Sequence, residues 1–246
     1  MEKGAFKGKH FLALEDFTPE ELRYLLDLSL KLKAEKKQHV DQRRNIGQNM
    51  LMLFEMESTR TRCSFETSAQ DLGMGTTYLS NSHFGTKETI KDSMRVFSAM
   101  YDVIAYRGMD HAQLQEMARE STIPIINGYT MHEHPTQMLA DFMTLDEVYG
   151  REGYKGKTFV YIGRGGACCA FSYAVACAMF GMNFKFITSY MTLDEAVSRR
   201  SCSTRKCPGA RRWRAGPAPC PTTRRSSSAS CTQSTTPSVP LPRPRT

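Results

Sequence analysis

The sequence predicts an α/β fold: a doubly wound parallel sheet, then an incomplete second α/β domain, then a disordered tail. Two observations carry this. From residue 49 onward, short apolar runs of strand length alternate with segments of helical periodicity. Alternation at this spacing favours parallel strands joined by crossover helices. The stretch from Ala196 to Thr246 breaks the pattern, with eight of the eleven prolines, eleven Lys or Arg, and no Asp or Glu. A segment of that composition has too little to bury to fold alone.

Taken in order, the elements justify themselves. Thr18 suits a helix N-cap, Pro19 its first position, and Glu21 completes a capping box. Leu22, Leu25, Leu26 and Leu32 then share one face. "NMLMLF" at 49–54 reads as a strand, followed by a helix from about Thr61 to Leu72 with Phe65, Ala69 and Leu72 inward. "TTYLS" at 76–80 is a second strand. A helix follows Lys87, with Ile90, Met94, Phe97 and Tyr101 at its spacing. "DVIAYR" at 102–107, a helix over 111–120, "IPIIN" at 123–127 and a helix over 135–149 continue the series. "TFVYIG", a helix near 170–181 and "NFKFIT" close it. The expected domains are residues 1–149, 150–196 and a basic tail, 197–246.

Charge and cysteine content narrow the function classes. The chain carries 33 basic and 25 acidic residues, but removing the eleven basic ones of the tail leaves 22 against 25, a mildly acidic body. A nucleic-acid argument would rest on the tail alone, where a single Trp and no other stacking ring accompanies the charge. No nucleic-acid partner is expected. The first residues hold no apolar run of signal-peptide length, and no stretch of about 18 apolar residues reads as a membrane span. The expected location is cytoplasmic, with Cys63, Cys168, Cys169 and Cys177 as reduced thiols. Cys202, Cys207, Cys220 and Cys231 lack the tight pair of a zinc site, so no metal site is expected there.

Ligands of doubly wound sheets bind beyond the carboxyl ends of the strands. The residues that follow each predicted strand are therefore the informative ones. They are Ser58, Thr59, Arg60, Thr61 and Arg62 after the first, Ser82 and His83 after the second, Arg107 closing the third, and His132 to Gln137 after the fourth. Hydroxyls, guanidiniums and imidazoles converge there with few carboxylates to balance them. That is an anion site, most plausibly for phosphate. A helix N-terminus offers free N–H groups and partial positive charge, and an arginine fork matches phosphate oxygens. Singly, each residue has a plainer reading: Ser58 or Thr59 as an ordinary cap, the arginines in surface pairs, His134 and His83 as loop histidines.

"FEMESTRTRCSFE", "YRG" at 106–108 and "HPTQ" at 134–137 resemble the aspartate/ornithine carbamoyltransferases. "KETIKDSMRV", "MYDVIAYRG" and "INGYTMHEHPTQMLADFMTL" are similar to the ornithine branch, and the likeness runs from about Lys9 to Thr188. The resemblance implies that Ser58, Thr59, Arg60 and Thr61 bind the phosphate of carbamoyl phosphate. It implies that Arg107, His134 and Thr61 surround the carbamoyl oxygen, with Gln137 near the amide nitrogen. Arg60, Arg107 and His134 would carry the catalytic stabilisation. The family implies homotrimers in which His83 serves a neighbouring subunit's site. The implied reaction is attack of the ornithine side-chain amine on the carbamoyl carbon, giving citrulline and phosphate, and the resemblance implies no metal or organic cofactor. Carbamoylation of putrescine or another amine is the alternative, and a non-catalytic anion-binding fragment with a basic tail is another.

The match breaks in "GRGGACCAFS". Arg164 stands where the family has Asp, and Ala167 and Cys168 stand where it has a pair of Asn that help hold ornithine. The later ornithine-binding loops have no counterpart, so transfer to ornithine by this chain as written is not expected. The acid-free tail after about Val197 has the composition of a shifted reading frame.

Overall fold

Side-chain alternation along one strand organises the sheet. In β1 (Asn49–Phe54) every residue after the first is buried. Met50, Met52 and Phe54 pack to one side with Ala69 and Ala105, while Leu51 and Leu53 pack to the other with Met94, Ile104, Leu114 and Ile125. A strand apolar on both faces needs helices on both, which is what a doubly wound sheet supplies. The computed structural model describes residues 6–80, 83–163 and 168–187, all within one compact unit. Arg164, Ala167, Ser82 and the tail, with its four cysteines, lie outside the described residues.

Three further strands, β2 (Gly75–Leu79), β3 (Val103–Arg107) and β4 (Ile125–Tyr129), join β1 in a parallel four-stranded sheet of order β2-β1-β3-β4. Helix α1 (Pro19–Lys37) precedes β1 and opens with the expected capping box: Glu21 N donates to Thr18 Oγ1 at 3.2 Å, and Thr18 N to Glu21 Oε2 at 2.8 Å. The crossovers are α2 (Thr59–Asp71), α3 (Ile90–Met100) and α4 (His111–Glu120). α5 (Pro135–Tyr149) leads out of β4. β5 (Thr158–Ile162) and β6 (Asn183–Ile187), joined through α6 (Cys168–Phe180), form a separate two-stranded parallel sheet.

Two boundaries differ from expectation. α2 begins at Thr59, not Thr61, because Ser58 is extended (φ −161°, ψ 117°) and takes the N-cap position itself. Thr59 and Arg60 thus belong to the first helical turn. β4 runs over Ile125–Tyr129 and not 123–127. Pro124 has no N–H to give the ladder, and the Asn127-Gly128 turn signal is overridden by a register shift between Tyr106 and Arg107. The shift pairs Arg107 with Tyr129 across the bulge at Gly128. A short 3-10 turn, Leu14–Asp16, also precedes α1.

The outer edge of β4 is covered by the N-terminal segment. Phe11 N donates to the Ile125 carbonyl and Asn127 N to the Phe11 carbonyl, each at 2.8 Å. A second core, built from Leu14, Leu22, Leu26, Met138, Phe142, Tyr154 and the inner face of α6, binds α1, α5 and α6 together. At its rim Arg23 reaches Asp146 at 2.5 Å, where the carboxylate is only 1% exposed.

Candidate functional site

The carboxyl ends of β1, β3 and β4 meet at one edge. Glu55 N donates to the Arg107 carbonyl at 2.8 Å, and Gly108 N to the Tyr129 carbonyl at 3.1 Å, so the chain segments leaving the three strands stay side by side. The Arg107 guanidinium stacks on the Tyr129 ring, 4.5 Å from its centroid. Tyr129 in turn meets the His134 ring edge-on at 5.3 Å. Arg107, Tyr129 and His134 therefore form one cluster. Sequence reasoning named the first and last but missed Tyr129, which it placed beyond the strand.

His134 is held from several directions. It is the N-cap residue of α5, with Pro135 at the first helical position. The turn before it is tied by Thr130 N to the Glu133 carbonyl at 2.9 Å and Glu133 N to Thr130 Oγ1 at 3.2 Å. Its own backbone N donates to Ser172 Oγ of α6 at 3.0 Å. Thr136 Oγ1 lies 3.4 Å from His134 Nδ1. Burial, reinforced by the charge of Arg107, pulls the imidazole pKa down to about 4. The free site thus holds a neutral imidazole beside a permanent cation.

The electrostatics favour an anion. The Arg107 Nε is buried and makes no hydrogen bond among the described residues. Burial lowers the Arg107 pKa, the sign of a cation paying desolvation with no carboxylate partner. One acid at this edge, Glu55, is engaged by neighbours of its own. Its Oε2 accepts from the Tyr106 hydroxyl at 2.5 Å and its Oε1 from Gln113 Nε2 at 2.9 Å. That grip requires Gly108: a Cβ there would sit 2.1 Å from the Tyr106 hydroxyl and 2.5 Å from Glu55 Oε2.

The α2 N-terminus lies alongside. Ser58 occupies the cap but its side chain makes no capping hydrogen bond, so both the hydroxyl and the first-turn N–H groups remain for a ligand. The plain capping role is thereby set aside for Ser58. The Thr61 methyl approaches Gly128, as a Cβ at Gly128 would lie 3.6 Å from Thr61 Cγ2. Ser58 and Thr59 also line a cleft of about 620 Å³ on the β2 side, together with Arg62, Cys63 and Tyr78. There Arg62 stacks on Tyr78 at 3.7 Å and pairs with Glu66 at 3.6 Å, so it is occupied as a surface arginine. The Arg60 side chain is exposed and makes no ion pair among the described residues.

Gln137 sits in the first turn of α5, and its Nε2 donates to Asp141 Oδ1 at 3.0 Å. His83 is exposed beyond β2, accepting at its carbonyl from Thr86 Oγ1 at 2.9 Å. No hydrogen bond or ring contact brings it to Arg107 or His134 among the described residues. Cys168, in one of the slots where Asn was expected, opens α6 against the cluster: it is buried, and it pairs with Tyr129, whose pKa burial and that contact push up to about 12. Among the described residues no group of three or more His, Cys, Asp or Glu is placed to hold a metal ion, and no helix is long and apolar enough to cross a membrane.

Comparison with known proteins gives the family and the fold. The family described as "Aspartate/ornithine carbamoyltransferase, carbamoyl-P binding domain" matches residues 9–147. A catabolic ornithine carbamoyltransferase of Treponema denticola is 47% identical over 180 residues, 72% of this chain and 53% of that protein. One from Mycoplasma capricolum is 45% identical over 180 residues, covering 72% of this chain and 57% of the relative. The chain thus spans about half the length of the curated relatives it matches. Among solved structures, the ornithine carbamoyltransferase of Pyrococcus furiosus superposes with a TM-score of 0.73 at 33% identity, over 78% of this chain and 62% of that one. An aspartate transcarbamoylase of Trypanosoma cruzi, solved with carbamoyl aspartate and phosphate, gives 0.66 at 25% identity, over 74% and 56%. With the strand-end cluster, the free α2 N-terminus and a match over more than half its length, the chain belongs to the aspartate/ornithine carbamoyltransferase family, through its carbamoyl-phosphate-binding domain.

Proposed function

We propose that this chain carries the carbamoyl-phosphate half-site of an ornithine carbamoyltransferase. The observation that carries the reading is the half-buried Arg107 guanidinium, with its Nε buried and unpaired among the described residues, stacked on Tyr129 beside His134 at the strand ends. The phosphate sits on the α2 N-terminus, bound by Ser58, Thr59, Arg60 and Thr61. The carbamoyl oxygen faces Arg107, His134 and Thr61, and the carbamoyl amide faces Gln137.

The chemistry follows from those positions. The amine lone pair attacks the carbamoyl carbon, the carbonyl oxygen gains negative charge, and the C–O bond to phosphate then breaks as the amine loses a proton. Arg107 and the N–H of a neutral His134 stabilise that oxyanion, and one such donor is worth about 3 kcal/mol. Arg60 and the helix N-terminus stabilise the departing phosphate. In a full-length enzyme of the ornithine branch the acceptor is the side-chain amine of ornithine, and the product is citrulline. Assembly as a homotrimer, with His83 serving a neighbour's site, belongs to the same reading, as do residues 1–149 acting as the binding domain and a cytoplasmic location. Cys168 in an acceptor-side slot argues that this chain binds carbamoyl phosphate without making citrulline.

Calorimetric titration with carbamoyl phosphate and with inorganic phosphate tests this. Both should bind, and Arg107→Gln should weaken carbamoyl phosphate by roughly ten- to a hundredfold, as expected for a lost charge-assisted hydrogen bond. No binding of either anion to the wild type, or unchanged affinity in Arg107→Gln, would overturn the assignment.

A further inference from the structure

Gln137 and Asp141 stand one turn apart on α5, and their contact fixes more than a side-chain angle. Asp141 Oδ1 accepts from Gln137 Nε2 at 3.0 Å, and Asp141 Oδ2 accepts from the Tyr173 hydroxyl of α6 at 2.5 Å. A carboxylate can only accept, so the end of the Gln137 amide that faces it has to be the NH2 end. The amide oxygen is then turned the other way. Burial and the adjacent carboxylate push the Tyr173 pKa up, which keeps that phenol a donor. Tyr173 is itself braced by Phe159, with ring centroids 4.6 Å apart. With one oxygen held by Tyr173 and the other by Gln137, the carboxylate has no freedom to release the amide.

We propose that Asp141, gripped by Tyr173, is a positioning residue that presents the Gln137 carbonyl oxygen to the ligand and so selects a phosphoryl ligand ending in an amide over one ending in a carboxylate. The inference rests on the carbamoyl-phosphate reading above. It gives α6 a part in selectivity: a residue beyond the domain that binds the phosphate decides which way an amide in that domain faces. A ligand NH2 meets an acceptor at Gln137. A ligand carboxylate meets the same oxygen and is repelled.

Three probes and two variants test it on the full chain. The probes are inorganic phosphate, phosphonoacetamide and phosphonoacetate, which share a phosphoryl group and differ in having no further group, an amide or a carboxylate. Asp141→Asn replaces an obligate acceptor by a group that can also donate, which frees Gln137 to turn over. The readout is the affinity ratio of amide to carboxylate. It should fall by roughly tenfold relative to wild type, the size of one neutral hydrogen bond, while phosphate affinity stays unchanged. Tyr173→Phe, which leaves Gln137 and Asp141 in place, should move the ratio the same way by a smaller factor. Loss of all three probes together in a folded variant, or an unchanged ratio in both variants, overturns the positioning role. A wild type that binds none of the probes overturns the carbamoyl-phosphate reading, and this inference with it. A wild type that binds phosphate with ratios indifferent to both substitutions removes the inference alone.

Discussion

Mild acid should destabilise this fold through His134 in particular. Burial and the Arg107 charge hold its imidazole near pKa 4, against an ordinary 6.5. Between those two values the unfolded chain takes up a proton at this position that the folded chain refuses. The contribution is therefore fully present above pH 6.5, declines as the pH falls through the window, and is gone below pH 4. A gap of about 2.5 pH units, at about 1.4 kcal/mol each, is worth about 3 kcal/mol. Urea unfolding of wild type and His134→Gln, each at about pH 7 and about pH 4.5, isolates it. The carboxylates titrate in both proteins and cancel in the comparison. The wild type should lose about 2–3 kcal/mol more than the variant on acidification. Equal losses would refute the reasoning, because they would mean that the folded site accepts the proton freely.

Other perturbations have equally definite outcomes. Asp146→Ala strands the Arg23 guanidinium, at present 2.5 Å from a carboxylate that is 1% exposed, and should cost about 3–5 kcal/mol in urea unfolding. A loss below about 1 kcal/mol would show that Asp27, 2.8 Å from Arg23, takes over the charge. Thr18→Ala removes the acceptor of the α1 capping box and should cost about 1 kcal/mol by the same assay. A maleimide should label Cys63, which is exposed, long before Cys177, which is buried with its pKa pushed up to about 12. Peptide mapping that finds the two modified at similar rates would mean that the α6 core face opens readily.

Much of this was legible before any coordinates. The period-2 and period-3.6 patterns located the six strands and six α-helices of the described residues, because most of their apolar residues do face a core. Arg107 and His134 were legible because the topology alone sends strand ends to one edge. What escaped depended on geometry that composition does not encode. Tyr129 was missed because Asn-Gly is an ordinary turn signal, and only the bulge beside Arg107 keeps the strand running past it. The engagement of Glu55 was invisible, since its partners Tyr106 and Gln113 lie 51 and 58 residues away. Asp141 reads as one more polar residue on a helix until Tyr173 is seen on its other oxygen.

The N-terminal segment that covers the β4 edge has a consequence for the order of synthesis. The ring of His10 accepts from Ile125 N across 115 residues, and Phe11 bridges the same strand. His10 and Phe11 thus wait for a strand made 115 residues later. Until then both the segment and the β4 edge lack partners, and closing a loop of that length comes late and slowly. A nascent chain halted before residue 125 should leave residues 9–12 open to protease, and one released just past α5 should not.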